Sequence, residues 1–468
     1  MIHKGKKYRK QIFCAALIGL LFTQNVWAEA ETPTPDTTAE ATPTPEPTPT
    51  PTPITTNDIE GWPQMEQTNG DSSCLMDADT GTVLVNKGMD EQRYPASITK
   101  VMTCLLALEN SSPTDQITFT QTGVNEAYSG SSNLYTQVGE IFTMEQCLYG
   151  LMLKSANDFA SQIAEQVAGS VENFVQMMND RAAALGCTNT HFNNAHGLPD
   201  ENHYTTAHDM ALILREAVKN PEFVKIAGTT SYTIPATNLT EGARTFDNHN
   251  AMLFSTSPYY YENCIAGKTG FTDSALNTFM AAGQKDGRTL VAVSMHYNGA
   301  PEVITDCKNL LEYGFNNFQV VQMSEPDITY RNGSVTIPSN ATAADVVTTR
   351  TGTEQTEAGE MVDQTYSFHD YTLCSGAITK EGADALDAAE AGAQQPTPEP
   401  TVQVKDETQA DIATAPEKEE TVPFPQRLLT KTYLIIEGLI LLVLVGIILV
   451  IVSAVKKSKA KKRKRKRR

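Results

Sequence analysis

No two of the eight cysteines form a Cys-x-x-Cys pair, and removal of an N-terminal leader would leave seven: Cys74, Cys104, Cys147, Cys187, Cys264, Cys307 and Cys374. An odd set without that pairing indicates neither a disulfide framework nor a zinc site. His191, His196, His203 and His208 cluster in the sequence, but no His-Glu-x-x-His spacing joins them, which counts against a zinc peptidase. No internal repeat of solenoid or propeller period is present. Basic charge is scarce in the body of the chain. Net charge is −19, yet five basic groups in residues 1–10 and eleven in 456–468 leave −35 on everything between. Phosphate contacts need a basic face, so nucleic acid is excluded as a partner.

What is present begins with the ends. Lys4, Lys6, Lys7, Arg9 and Lys10 precede the apolar run Ile12–Phe22, and Val26-Trp27-Ala28 supplies small residues at the −3 and −1 positions. This reads as a signal peptide over 1–28, since the run is too short to span a membrane comfortably. Near the other end, Leu434–Val455 is mostly apolar and leads into the basic tail 456–468. We expect a transmembrane helix over 431–455 with its tail cytoplasmic by the positive-inside rule, so that the rest faces outward in a single-pass, C-terminally anchored membrane protein. Fourteen of the 24 prolines fall in 33–53 and 396–425. Such stretches are extended, solvated spacers, which gives a Pro/Thr-rich linker at 29–58 and a disordered linker at 384–430. About 340 residues remain between the spacers, enough for a sizeable core.

The segment 59–322 reads as one mixed α/β (α+β) domain. Cys74–Asp77 and Val83–Lys87 flank a hairpin turn, as do Thr278–Ala282 and Thr289–Met295. Helical spacing runs through Ile98–Leu108, Met144–Lys154, Asp158–Ala168, Val171–Leu185, Ala207–Lys219 and Glu302–Tyr313. Strands at both ends with helices between them predict one antiparallel sheet and a helical lobe. Residues 323–383 read as a small β-rich module, with short strands at Asp327–Tyr330 and Ser334–Ile337.

Three short motifs carry the chemistry. Ser97-Ile98-Thr99-Lys100 opens a helical run, and positions i and i+3 share a helix face about 5–6 Å apart. A serine needs a base to become a nucleophile, and a lysine serves once desolvation or a neighbouring cation lowers its pKa. Ser155-Ala156-Asn157 lies on a turn that can aim both polar side chains into one cleft, although such residues more often cap helices. Lys268-Thr269-Gly270 precedes Phe271; an ammonium and a hydroxyl suit a carboxylate, and a glycine on an edge strand lets a substrate backbone approach. Each motif is weak alone. Their order and spacing together are specific.

With Tyr94–Lys100, Leu153–Asp158, Asn194–Leu198, Tyr204–Asp209 and Gly267–Thr272, the chain resembles the D-alanyl-D-alanine carboxypeptidases over about residues 60–320. These are low-molecular-mass penicillin-binding proteins of the serine β-lactamase-like superfamily. The resemblance implies a β-lactamase/transpeptidase-like fold, an antiparallel sheet flanked by helices, and no cofactor or metal. Its implied substrates are peptidoglycan stem peptides, with β-lactams as covalent inhibitors. Ser97 would be the nucleophile and Lys100 its base. Ser155 would relay a proton to the leaving amine, and Asn157 would hold Lys100 and the substrate amide. Lys268 and Thr269, beside Gly270, would bind the terminal carboxylate, with Lys268 also depressing the pKa of Lys100. The backbone N–H groups of Ser97 and Phe271 would form the oxyanion hole.

Three alternatives remain at this level. A serine β-lactamase of class A would carry an activating glutamate, usually in a Glu-x-x-Leu-Asn segment, and none lies between Asn157 and Lys268. A D,D-endopeptidase would use the same residues. A non-catalytic penicillin-binding sensor would need an output domain where this chain offers only a short basic tail.

Overall fold

The architecture follows from largely apolar strands, buried on both faces, that come from both ends of the domain. It is given by a computed structural model that describes residues 52–127, 131–323, 333–356 and 359–393. The expected signal peptide, the proline-rich linker up to residue 51, the linker beyond 393, the transmembrane helix and the basic tail all lie outside the described residues. Among the described residues no helix is long and apolar enough to cross a membrane.

Strands β1 (Ser72–Asp77) and β2 (Val83–Lys87) form the first hairpin. Asp77 closes its turn by accepting from the N–H groups of Asp79 and Thr80, an Asx-type turn. The chain then builds a helical lobe. It runs through α1 (Lys100–Asn110), β3 (Gln116–Thr118), α2 (Gln121–Ala127), β4 (Ile141–Thr143), α3 (Met144–Met152), α4 (Asn157–Ala168), α5 (Val171–Ala184), α6 (Ala207–Ala217) and α7 (Pro221–Ala227), and ends in the hairpin β5 (Ser231–Ile234) and β6 (Arg244–Asp247). Local signals set many of these boundaries. Thr143 and Gln146 make a reciprocal capping box for α3, Gly169 ends α4 with φ 79°, and Thr206 caps α6. Three long strands follow, β7 (Cys264–Thr272), β8 (Leu276–Lys285) and β9 (Arg288–Tyr297), then α8 (Ala300–Asn317). Asp286 and Gly287, both with positive φ, make the two-residue β8–β9 turn, as such hairpins demand.

The five-stranded sheet has the order β2-β1-β9-β8-β7, antiparallel throughout. Side chains alternate between its two faces. Cys74, Met76, Met280, Val291 and Val293 join the core of the helical lobe. Leu75, Leu84, Phe279, Leu290 and Ala292 join a second core beneath α8. Helix α1 is buried from Lys100 to Ala107, because the sheet and the other helices surround it.

The remaining elements are the hairpin β10 (Phe318–Gln322) and β11 (Ser334–Pro338), the sheet β12 (Val346–Thr356), β13 (Gly359–Phe368) and β14 (Tyr371–Thr379), and helix α9 (Lys380–Ala393). Trp62 sits among Phe318, Phe368 and Tyr371, with ring centroids 5.0, 5.9 and 5.1 Å away, and donates its Nε1–H to Leu84 O.

Several expectations are revised. The run expected to be helical from Ile98 starts as a 3-10 turn, Ala96–Thr99, before α1. Helices α2 and α7, the two-stranded β3–β4 pair and the hairpin β5–β6 were not anticipated, because each element is too brief for periodicity to register. A boundary after residue 322 would fall between the paired strands β10 and β11. Residues 384–393, assigned by composition to a linker, continue α9. The strand expected at 327–330 lies outside the described residues.

Candidate active site

The three motifs meet where the sheet edge touches the helical lobe. Strand β7 is the edge strand, and it runs against the 3-10 turn that carries Ser97. Ala96 takes φ 51°, a left-handed conformation that costs an L-residue energy and collects at functional sites. Thr278 Oγ1 fastens this turn from behind by donating to Pro95 O at 2.9 Å.

Lys100 occupies the first turn of α1, wholly buried. Its Nζ lies 3.0 Å from Ser97 Oγ, 2.7 Å from Asn157 Oδ1 and 2.6 Å from His196 O. Two of these partners are carbonyl oxygens and can only accept. A neutral amine has two hydrogens for them and one lone pair left, which faces the third partner, the Ser97 hydroxyl. The electrostatics favour that neutral form. Burial first, and then the charge of Lys268, hold the Lys100 amine well below the usual lysine range, while Asp158 and Glu126 oppose the shift.

Ser155 has φ 61°, and this strained conformation turns its Oγ to Lys268 Nζ, 3.1 Å away. Lys268 also donates to Thr269 O at 2.8 Å, and burial lowers its pKa to about 7. Asn157 Nδ2 donates to Ser131 Oγ at 2.7 Å, which fixes the amide with its oxygen toward Lys100. Phe271 is 59 % exposed at the open side of β7.

The structure therefore brings Ser97, Lys100, Ser155, Asn157 and Lys268 into one hydrogen-bonded cluster, with Thr269 and Phe271 on the strand beside it. It corrects the reason for Gly270. A Cβ there would lie 2.4 Å from Thr278 Oγ1 and 2.9 Å from Ser97 N. The glycine faces the turn that carries Ser97 rather than a substrate backbone, and its smallness lets sheet and turn close up.

Other contributors went unassigned in the sequence. The loop Asn193–Gly197 forms a further wall, its His196 carbonyl meeting Lys100 while a Cβ on Gly197 would overlap Ala96 O at 1.9 Å. His203, fully buried, accepts the Asn193 N–H at Nδ1, so its Nε2 carries the proton and donates to Thr99 Oγ1, 2.9 Å away. Asp158, buried in the first turn of α4, accepts from the N–H groups of Leu134 and Thr136 and from the Thr136 hydroxyl. The other histidines are engaged separately, His196 3.7 Å from Glu126, His208 with Asp90 and His191 with Asn202 O. The Asn-Ala-His-Gly-Leu run and the segment Leu153–Asp158 hinted at some of this, without a role for any of these contributors.

Comparison with known proteins places this geometry. The family model described as D-alanyl-D-alanine carboxypeptidase matches residues 60–299. D-alanyl-D-alanine carboxypeptidase DacF of Bacillus subtilis is 32 % identical over 253 residues, 53 % of this chain and 62 % of that protein. DacB2 of Mycobacterium tuberculosis is 33 % identical over 250 residues, 52 % of this chain and 80 % of the relative. Among solved structures, penicillin binding protein 6B from Escherichia coli superposes with a TM-score of 0.55 at 26 % identity, covering 69 % of this chain and 98 % of its own.

Proposed function

The chain belongs to the D-alanyl-D-alanine carboxypeptidase family, and on that footing we propose that it is a serine-type, penicillin-sensitive carboxypeptidase that removes the terminal D-alanine from peptidoglycan stem peptides. The observation that carries the reading is the Lys100 amine, wholly buried, 3.0 Å from the Ser97 hydroxyl and held well below the usual lysine range by burial and by Lys268.

Each residue then has a task. The stem lies along the open edge of β7, where strand backbone can pair with an extended peptide. Protonated Lys268 and the Thr269 hydroxyl receive the terminal carboxylate, a charge-assisted contact. Lys100 takes the Ser97 proton as Oγ attacks the carbonyl carbon between the two D-alanines. The backbone N–H groups of Ser97 and Phe271 hold the developing oxyanion; one such donor is worth about 2.7–4 kcal/mol. The C–N bond breaks as Ser155 passes a proton from Lys100 to the departing amine. Water then cleaves the acyl ester, with Lys100 accepting its proton and Ser97 regaining its own. A β-lactam acylates Ser97 by the same steps, but its leaving group stays tethered, so the ester persists.

The apolar run Leu434–Val455 and the basic tail support a membrane-anchored enzyme whose catalytic domain faces outward. The test uses the purified full-length protein with a pentapeptide ending in D-alanyl-D-alanine. D-alanine release and labelling by a fluorescent penicillin are expected, and both vanish in Ser97→Ala. Label at another residue, or rapid turnover of nitrocefin, would overturn the assignment.

A further inference from the structure

Beside the cleft lies an open pocket of about 450 Å³ whose lining includes Asn133, Tyr135, Gln137, Lys154, Thr240 and Arg244. Two of its lining residues neighbour cleft residues along the chain. Asn133 follows two residues after Ser131, the partner of Asn157, and Lys154 immediately precedes Ser155.

The charges in this pocket do not balance. Arg244 is paired with Glu140, which is fully buried and also accepts from Thr237, Thr240 and the Gln137 N–H. That carboxylate is saturated and turned away from solvent. Lys154, half-buried, has no acidic partner among the described residues. Lys154 and Lys268 act on one common group: His249 is held at about 4 by desolvation first and then by the charges of Lys268 and Lys154.

The pocket is also built to be rigid. Asp158 clamps the backbone of Leu134 and Thr136, and Asn133 Oδ1 accepts the Tyr135 N–H. Between these anchors Tyr135 takes φ 54° and is 74 % exposed. A strained residue that presents an aromatic ring to solvent from a fixed loop is a contact surface in wait.

We propose that this pocket is a subsite for the acyl-donor side of the stem peptide, in which Lys154 pairs with a carboxylate that the stem carries upstream of the scissile bond and Tyr135 covers the adjoining chain. The inference rests on the reading of the cleft as a carboxypeptidase site. Its test separates the two by measuring binding without turnover. Full-length Ser97→Ala is titrated calorimetrically with three acetylated pentapeptides ending in D-alanyl-D-alanine. One has free carboxylates at its second and third residues, and the others have one or the other converted to a carboxamide.

Amidation at one position should weaken binding about tenfold, the scale of a single charge-assisted contact, and that position identifies the group Lys154 reads. Adding Lys154→Met should bring the peptides within twofold of each other, while Lys154→Arg keeps the preference. Equal affinity for all three in the Ser97→Ala parent, a comparison that needs no Lys154 variant, overturns the subsite; so does a preference that survives Lys154→Met. D-alanine release by the Ser97-intact protein without carboxylate discrimination sinks this inference alone. Discrimination without D-alanine release sinks only the carboxypeptidase reading.

Discussion

Lys87 and Lys100 are both buried, and their surroundings differ in the sign of the nearest charges. Lys87, on β2, donates to Thr68 O at 2.6 Å; burial lowers its pKa, but Asp306 and Asp71 pull it back. Lys100, in the helical lobe, is more completely enclosed and has a second ammonium, Lys268, as its strongest charged neighbour. Burial alone disfavours the charged form at both sites. Depth of burial and the sign of the next charge together separate a lysine that braces the N-terminal segment from one held well below the usual lysine range beside a hydroxyl.

The largest break of this contrast should come from Lys100→Arg. Arginine keeps the charge and some hydrogen bonds but does not deprotonate, so acylation by a fluorescent penicillin should slow about a thousandfold, within the range for a lost general base. Near-normal labelling would remove Lys100 from its role as base. Gly270→Ala should follow. Its Cβ presses on Ser97 N and Thr278 Oγ1, and misplacing a nucleophile by about 1 Å costs about a hundredfold. The acylation rate measures this, with circular dichroism checking that the protein is folded.

pH sharpens the contrast next. Lys268 must be protonated to bind a carboxylate, and its pKa lies at about 7. Raising the pH through that value removes the charge, so kcat/KM for a D-alanyl-D-alanine peptide should fall about tenfold per unit on the alkaline side. In Lys268→Arg that alkaline fall should disappear. The smallest effect on activity is expected from Lys87→Met, with acylation within twofold of the parent. The loss there is in stability, about 1–3 kcal/mol for an orphaned Thr68 carbonyl, read as a lower denaturation midpoint.

Much of the site was legible because its chemistry sits in short motifs. Ser97 and Lys100 are one helical turn apart, and the hairpin turns beside Cys74–Asp77 and Thr289–Met295 marked the strands. The partners that tune those motifs were hidden by distance along the chain. The His196 carbonyl comes from 96 residues beyond Lys100, and the Asp158 clamp reaches back 24 residues to Leu134. A backbone carbonyl has no sequence signature, and neither does the side of a strand that a glycine keeps clear. Gly270 was read as serving substrate for that reason, when its empty face meets Ala96 and Ser97.

By itself the sequence determined which functional groups this protein owns and the order in which they occur. It also determined where strands and helices form, since period, caps and turn residues act over a few neighbouring positions. Only the tertiary structure decided that the amine beside the Ser97 hydroxyl is held well below the usual lysine range. That choice depends on desolvation and on charges brought within a few ångströms from distant parts of the chain, and no local pattern encodes them.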